Sequence, residues 1–273
     1  MATTDCDAPM RRIAQGISLA AFNLGILFQQ KAVCIPILHC HSCYLASFAC
    51  PIGVLGHYAS YLILPFLAVG IIGVIGALLG RALCGWVCPF GLIQELLYKI
   101  PSPKFRFPPW FRLLKYPVFV GSVLLVPIFV GVLSPWFFCR WCPVATFEAA
   151  IPNAIARGGF EDTASAFVRL SILGIVLVTA VISHRAFCIG LCPIGAMMAP
   201  FNRISAIYLR RNPAKCTECG ACVSACPTRQ VADVKRGILP GDSDLECILC
   251  MDCTKKCPHD GALHATVLGP RRQ

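Results

Sequence analysis

Four long apolar stretches, at 13–30, 58–83, 114–138 and 166–187, govern what this chain can become. A helix needs about 20 mostly apolar residues to cross a hydrocarbon core of about 30 Å. Each stretch approaches that length, and lipid leaves such a segment little choice but the helix, because no water is there to satisfy an open backbone. Composition agrees: 57% of the 273 residues are hydrophobic and 14% are charged, where a soluble domain carries about 25% charged residues. The expected membrane half is therefore an α-helical membrane protein with four transmembrane helices. Arg11 and Arg12 also give the first stretch the opening of a signal peptide, but no small-residue cleavage site follows it.

The formal net charge is +11, and the placement of Lys and Arg sets sidedness. The N-terminus holds Arg11 and Arg12. The link between the second and third stretches holds Arg81, Lys99, Lys104, Arg106, Arg112 and Lys115, and the tail holds Arg185, Arg203, Arg210, Arg211 and Lys215. The other two links hold little: Lys31 in one, Arg140 and Arg157 in the other. Both termini and the middle link are thus expected in the cytoplasm of a bacterial or archaeal cell, and the other two links outside its cytoplasmic (inner) membrane. No basic run is interleaved with exposed aromatics, so lipid is an expected partner and nucleic acid is not.

The most specific motif lies in the tail. "CTECGACVSACP" supplies Cys216, Cys219, Cys222 and Cys226, and "CILCMDCTKKCP" supplies Cys247, Cys250, Cys253 and Cys257. Both read C-x2-C-x2-C-x3-C-P, the run of bacterial two-cluster ferredoxins, whose fourth cysteine ligates the other cluster. The expected ligands of one [4Fe–4S] cluster are Cys216, Cys219, Cys222 and Cys257. Those of the second are Cys247, Cys250, Cys253 and Cys226. Zinc favours separated C-x2-C pairs instead. A small α+β ferredoxin domain is expected over 206–273, too small to bury much core, so its clusters would hold it together.

The membrane half, 1–205, repeats itself. "RALCGWVCPFG" begins at Arg81 and "RAFCIGLCPIG" at Arg185. Aligned, Cys84 meets Cys188, Cys88 meets Cys192 and Gly91 meets Gly195; upstream, Gly70 and Ile71 meet Gly174 and Ile175. This predicts two repeated two-helix units about a pseudo-two-fold axis, with a site at their interface. Cysteines four apart share one face of a helical turn, so Cys84, Cys88, Cys188 and Cys192 would supply four thiolates. A further iron–sulfur cluster, a zinc or other metal site, and structural or redox-active thiols are all open for this set. Cys40, Cys43, Cys50, Cys139 and Cys142, with Cys34 nearby, are expected at the outer face as a second metal site, as disulfides, or as neither. His39 and His41 are candidate contributors to that metal site, and Cys6 reads as a free thiol. Cysteine sets at both faces suit a transmembrane electron path, since the hydrocarbon core is too thick for one useful hop.

Apolar spans ending in C-x3-C-P, one reading "CGWVCP", followed by a basic linker and two ferredoxin motifs, resemble the NapH family of ferredoxin-type membrane proteins. The membrane half of NosR and the CcoG (RdxA) proteins are similar. The resemblance covers nearly the whole chain and implies a quinol dehydrogenase or electron conduit, with its ferredoxin motifs in the cytoplasm, feeding redox partner proteins outside. The outer cysteines depart from that pattern, which puts a nitrate-reductase partner in doubt and suggests an extra centre. On this reading the chain is a redox subunit rather than a self-contained enzyme. It would move electrons between a cytoplasmic donor or the quinol pool and a partner at the outer face. The alternative is an assembly factor such as a copper reductase, taking up metal at Cys40, His41 and Cys43. No C-x-x-C-H, G-x-G-x-x-G or P-loop is present, and no quinone site is legible. His57, Tyr58 and Tyr61 read as an aromatic belt and His184 as interfacial. Asn23 is expected to face a neighbouring helix, and Arg169 to snorkel.

Overall fold

The computed structural model describes residues 9–25, 30–31, 33–40, 42–43, 45–105, 107–160, 162–228, 245–259 and 261–267. Cys6 and His41 lie outside these. Helix α1 (Pro9–Phe22) is followed by an irregular loop that carries Cys34 to Cys50. Then come α2 (Pro51–Ser60), α3 (Phe66–Leu79), the short α4 (Ala82–Trp86) and α5 (Pro89–Tyr98). A long helix, Trp110–Phe129, leads by a turn to Phe138–Trp141 and on to a helical run ending at Arg157. The helix Thr163–Ile182 then returns, followed by Ala186–Gly190 and Pro193–Met198. The tail opens with β1 (Ile207–Arg211), which pairs antiparallel with β2 (Leu263–Val267), Leu209 opposite Ala265.

Two helices, Trp110–Phe129 and Thr163–Ile182, are long and apolar enough to cross a membrane. At about 1.5 Å per residue, their 20 residues match a hydrocarbon core. The other two expected spans are broken. The first stops at Phe22, where the Asn23 amide turns back to donate to Leu19 O at 2.8 Å. That side-chain bond competes with the next helical one; Asn23 ends the helix rather than meeting a neighbour. The second expected span divides at Tyr61–Leu62, with Leu62 left-handed (φ 55°). Pro65 then disfavours helix at the residue before it, so α3 starts at Phe66 with 14 residues.

One apolar core joins the halves of the bundle. It contains Cys50, Cys88, Cys142 and Cys192 together with Ile52, Phe90, Val144 and Ile194. These are the residues on either side of four Cys-Pro steps. Position 52 of α2 and position 144 pack here as their counterparts at 90 and 194 do, so Cys50 and Cys142 enter this core.

Candidate metal centres

In the ferredoxin tail, both loops take the same backbone path. Glu218 and Leu249, each just before the second cysteine, are left-handed (φ 55° and 51°). So are Gly220 and Met251, each just after it (φ 74° and 64°). Alternating right- and left-handed residues turn successive N–H groups inward into an anion-binding nest, a form that iron–sulfur sites use. One cavity, of about 430 Å³ and open to solvent, is lined by Cys216, Cys219, Cys222 and Cys257. A second is lined by Cys226, Cys247, Cys250 and Cys253. Each set takes three cysteines from one loop and the last from the other, and the donor set fits a cubane. Burial pushes the Cys250 and Cys253 thiols up, Asp252 adding to the first and Cys247 and Cys226 to the second. A cluster binding there must therefore release protons.

The two C-x3-C-P turns meet. Cys88 (φ −65°, ψ 114°) and Cys192 (φ −70°, ψ 113°) hold the same extended N-cap, each followed by proline at the first helical position. Each repeat's arginine reaches into the other repeat. A Cβ on Gly91 would lie 3.1 Å from Arg185 Nη2, and one on Gly195 would lie 3.3 Å from Arg81 Nη2. Arg185 Nη1 donates to Cys84 O at 2.8 Å, and Gln94 Nε2 donates to Cys188 Sγ at 3.1 Å. Cys192 stands within electrostatic reach of Cys188, Cys84 and Cys88.

The expected roles of several basic residues need correction. Arg11, Arg81, Lys115 and Arg185 were expected at the aqueous face, but they are 0%, 3%, 0% and 1% exposed. Arg11 Nη2 and Arg185 Nε both donate to the Glu95 carboxylate at 2.8 Å, and Arg11 Nη1 reaches Asp252 at 3.4 Å. Arg81 donates to Glu246 at 2.7 Å and Lys115 also pairs with Glu246. The reason is Coulombic: a buried charge persists only beside its opposite. Burial opposes the charge of Glu246, but Arg81 and Lys115 outweigh it and hold its carboxyl below the usual range.

These pairs seat the second ferredoxin loop on the cysteine end of the bundle, with contacts from both repeats. Trp86 Nε1 donates to Leu249 O at 2.8 Å, Arg81 Nη1 to Leu245 O at 3.0 Å and Asn202 Nδ2 to Cys247 O at 2.7 Å. A Cβ on Gly85 would lie 2.3 Å from Ile248 O, so only glycine admits the loop here. Sequence reasoning missed Glu95, Glu246, Gln94 and Gly85. The available signal was a lone acid, Glu95, inside the apolar stretch of α5.

In the loop after α1, His39 turns both ring nitrogens to backbone carbonyls, of Ile37 at 3.3 Å and Phe48 at 2.8 Å. It faces its own loop rather than a metal. No disulfide joins the described cysteines. Among the described residues no three His, Cys, Asp or Glu side chains could hold a single metal ion, in the ferredoxin sets or elsewhere. A cubane spreads its thiolates over four irons, so its ligands need not converge on one point.

Eight cysteines around two cavities, cross-shared between matched loops, define a ferredoxin-type iron–sulfur protein. The comparisons agree with that class. A family described as "4Fe-4S binding domain" matches twice, at 60–108 and 165–212, each time over one C-x3-C-P turn, and a second family of the same description matches 209–230. The chain is similar to YccM of Escherichia coli, which is named for electron transport (30% identical, covering 68% of this chain and 51% of YccM). It is also similar to the methylamine utilization ferredoxin-type protein MauN of Methylobacillus flagellatus (26% identical; 56% of this chain, 50% of MauN). The regulatory protein NosR of Stutzerimonas stutzeri is 27% identical over 64% of this chain and 24% of its own length. The chain thus spans about half the length of YccM and MauN and about a quarter of NosR. No solved structure matches.

Proposed function

We propose that this chain is an iron–sulfur electron carrier of the cytoplasmic membrane, crossed by the helices Trp110–Phe129 and Thr163–Ile182. Its ferredoxin tail would lie in the cytoplasm, moving single electrons between a cytoplasmic donor or the quinol pool and a redox partner at the outer face. Cys216, Cys219, Cys222 and Cys257 would hold one [4Fe–4S] cluster. Cys247, Cys250, Cys253 and Cys226 would hold the second, and Cys84, Cys88, Cys188 and Cys192 a third. Such clusters supply one-electron transfer over a wide range of potential. The observation that carries this reading is the seating of the Cys247–Cys250 loop directly on Gly85 and Trp86, between Cys84 and Cys88. A tail that served only to recruit a partner would not need its cysteine loop against the membrane cysteines.

Membrane placement is supported by what the helices leave uncovered. On Thr163–Ile182 the outward residues include Phe167, Val168, Ile175 and Val178, all exposed, while Leu173, Val176 and Ala180 face the core. Apolar surface continues over Phe66, Leu67, Val74, Phe129 and Leu133, more than a soluble monomer commonly shows. Buried Arg11 and Gln15, the latter donating to Gly85 O at 3.1 Å, tie α1 to the cysteine end of the bundle.

The test is iron and acid-labile sulfide on protein purified without oxygen, with low-temperature paramagnetic resonance of the reduced form. About twelve irons or more per chain are expected, four for each cluster. Cys84→Ser and Cys188→Ser should each remove the same signal and spare the two ferredoxin signals. About eight irons, or two different losses, would sink the shared site.

A further inference from the structure

We propose that Cys40, Cys50, Cys139 and Cys142 form a fourth [4Fe–4S] ligand set, in the bundle core beside the set of Cys84, Cys88, Cys188 and Cys192. The inference rests on the reading of this chain as an iron–sulfur carrier and deepens it, because it names the next station on the path.

Backbone geometry comes first. Cys50 (φ −77°, ψ 127°) and Cys142 (φ −61°, ψ 123°) take the same extended N-cap before a proline as Cys88 and Cys192 do. In all four turns the N–H of the residue three further on faces the cysteine sulfur: Gly53, Gly91, Ala145 and Gly195. One local device is thus used four times. Two of its copies belong to the set already read as a cluster site.

Cys50, Cys139 and Cys142 pack into one buried core, and Cys40, in the cluster next to it, lies within electrostatic reach of all three. Cys40 is fixed through its own N–H, which donates to Glu148 Oε2 at 2.7 Å. Glu148 belongs to the helical run that Cys142 opens. Cys40, Cys50 and Cys142 are buried and Cys139 is half-buried. Cys43, whose sulfur accepts the Leu45 N–H at 3.4 Å, packs against Cys40, and Cys34 lies within electrostatic reach of Cys50.

Adjacency to the inner set is shown by one peptide. The Leu38 N–H faces the Cys88 sulfur, and the next N–H, of His39, faces the Cys50 sulfur. Consecutive Cα atoms are about 3.8 Å apart, so Cys88 of one set and Cys50 of the other lie around a single stretch of the loop. The loop after α1 thereby brings the expected outer cysteines inward, next to the inner ones.

Ligation balances without a change of oxidation state. A preformed [4Fe–4S]2+ cluster, delivered by a carrier thiolate protein, exchanges four carrier bonds for four Fe–S(Cys) bonds, and the four thiols release four protons. Once bound, it takes up or gives one electron at a time, between its 2+ and 1+ states, in exchange with the inner set.

The experiment is iron, sulfide, zinc and copper content of the full chain purified without oxygen, with Mössbauer and paramagnetic resonance spectra. It is made on wild type, Cys50→Ser and Cys142→Ser. About sixteen irons in wild type are expected, four per cluster. Each variant should lose about four irons and the same single signal, with both ferredoxin signals retained as the control for folding. About twelve irons in wild type, unchanged in the variants, would overturn this fourth set and leave the inner one standing. About eight would overturn both. Zinc or copper in place of the last four irons would also overturn it. If the variants do not accumulate, the wild-type count decides alone, because sixteen irons require a fourth set of ligands.

Discussion

The two C-x3-C-P stretches are near copies in sequence and unequal in surroundings. Inside, they mirror one another: Arg81 lies over Gly195 and Arg185 over Gly91. Outside, they diverge. Arg81 has ordinary backbone (φ −86°) and pairs with Glu246 of the tail, while Arg185 is left-handed (φ 53°) and pairs with Glu95 of the first repeat. Gly85 and Trp86 receive the ferredoxin loop, whereas their counterparts Ile189 and Gly190 belong to a turn covered by Phe111. The two turns thus share a cysteine interior and carry two different covers. The second repeat also holds the tail, through Lys115 on Glu246 and Asn202 on the Leu245 and Cys247 carbonyls, but its Ile189–Gly190 turn lies against Phe111 instead.

The largest expected effect comes from the acids. Glu95→Gln removes the carboxylate that two buried guanidinium groups share, leaving Arg11 with its longer contact to Asp252 and Arg185 with the Cys84 carbonyl. Removing one partner of a buried pair costs about 3–5 kcal/mol, and thermal unfolding in detergent should show a large loss. Glu246→Gln strands Arg81 and Lys115 at a more accessible place. It should destabilise less and mainly release the tail, seen as faster proteolysis after 206. Equal losses of both kinds in the two variants would break the asymmetry. Next come the glycines. Gly85→Ala drives a methyl to 2.3 Å from a backbone carbonyl, while Gly190→Ala meets the ring of Phe111 at 2.0 Å. A ring can turn aside and a carbonyl held in a docked loop cannot. Gly85→Ala should therefore slow electron equilibration between the ferredoxin and membrane signals, and Gly190→Ala should not. The reverse order would place the tail on the second repeat.

Much of the ferredoxin tail was legible because its chemistry is local. Spacing within C-x2-C-x2-C-x3-C-P is enough to bring Cys216, Cys219 and Cys222 to one cavity, and the crossing of Cys226 and Cys257 follows from the paired motif. The pairing of Arg81 with Arg185 by alignment was equally visible. What stayed hidden depends on long-range contacts. Basic residues near apolar stretches read as topology signals by count alone. Nothing in that count reveals that Glu95 lies between Arg11 and Arg185, 84 and 90 positions away in sequence. The span boundaries were overrun for a related reason: hydropathy does not register that Asn23 closes α1 on Leu19 or that Leu62 turns left-handed.

The smallest expected effect isolates one hydrogen bond of the docked loop. Trp86→Phe keeps an aromatic ring in place and removes the donor to Leu249 O. A hydrogen bond of this kind contributes about 0.5–1.5 kcal/mol, too little to unseat a loop also held by Arg81 and Asn202. Global unfolding should hardly move. Amide exchange over 245–250 should rise several-fold, since about 1.4 kcal/mol is a factor of ten in an opening equilibrium. Exchange over 216–222 should stay as it was, because no described hydrogen bond ties that loop to the first repeat. The second repeat offers no matching variant, as its residue at this place is Gly190. If exchange rises equally over both ferredoxin loops, the tail docks as one rigid body and Trp86 is a general anchor. If it rises over 245–250 alone, the second loop is held separately, and its cysteines are the ones positioned to pass electrons to the membrane set.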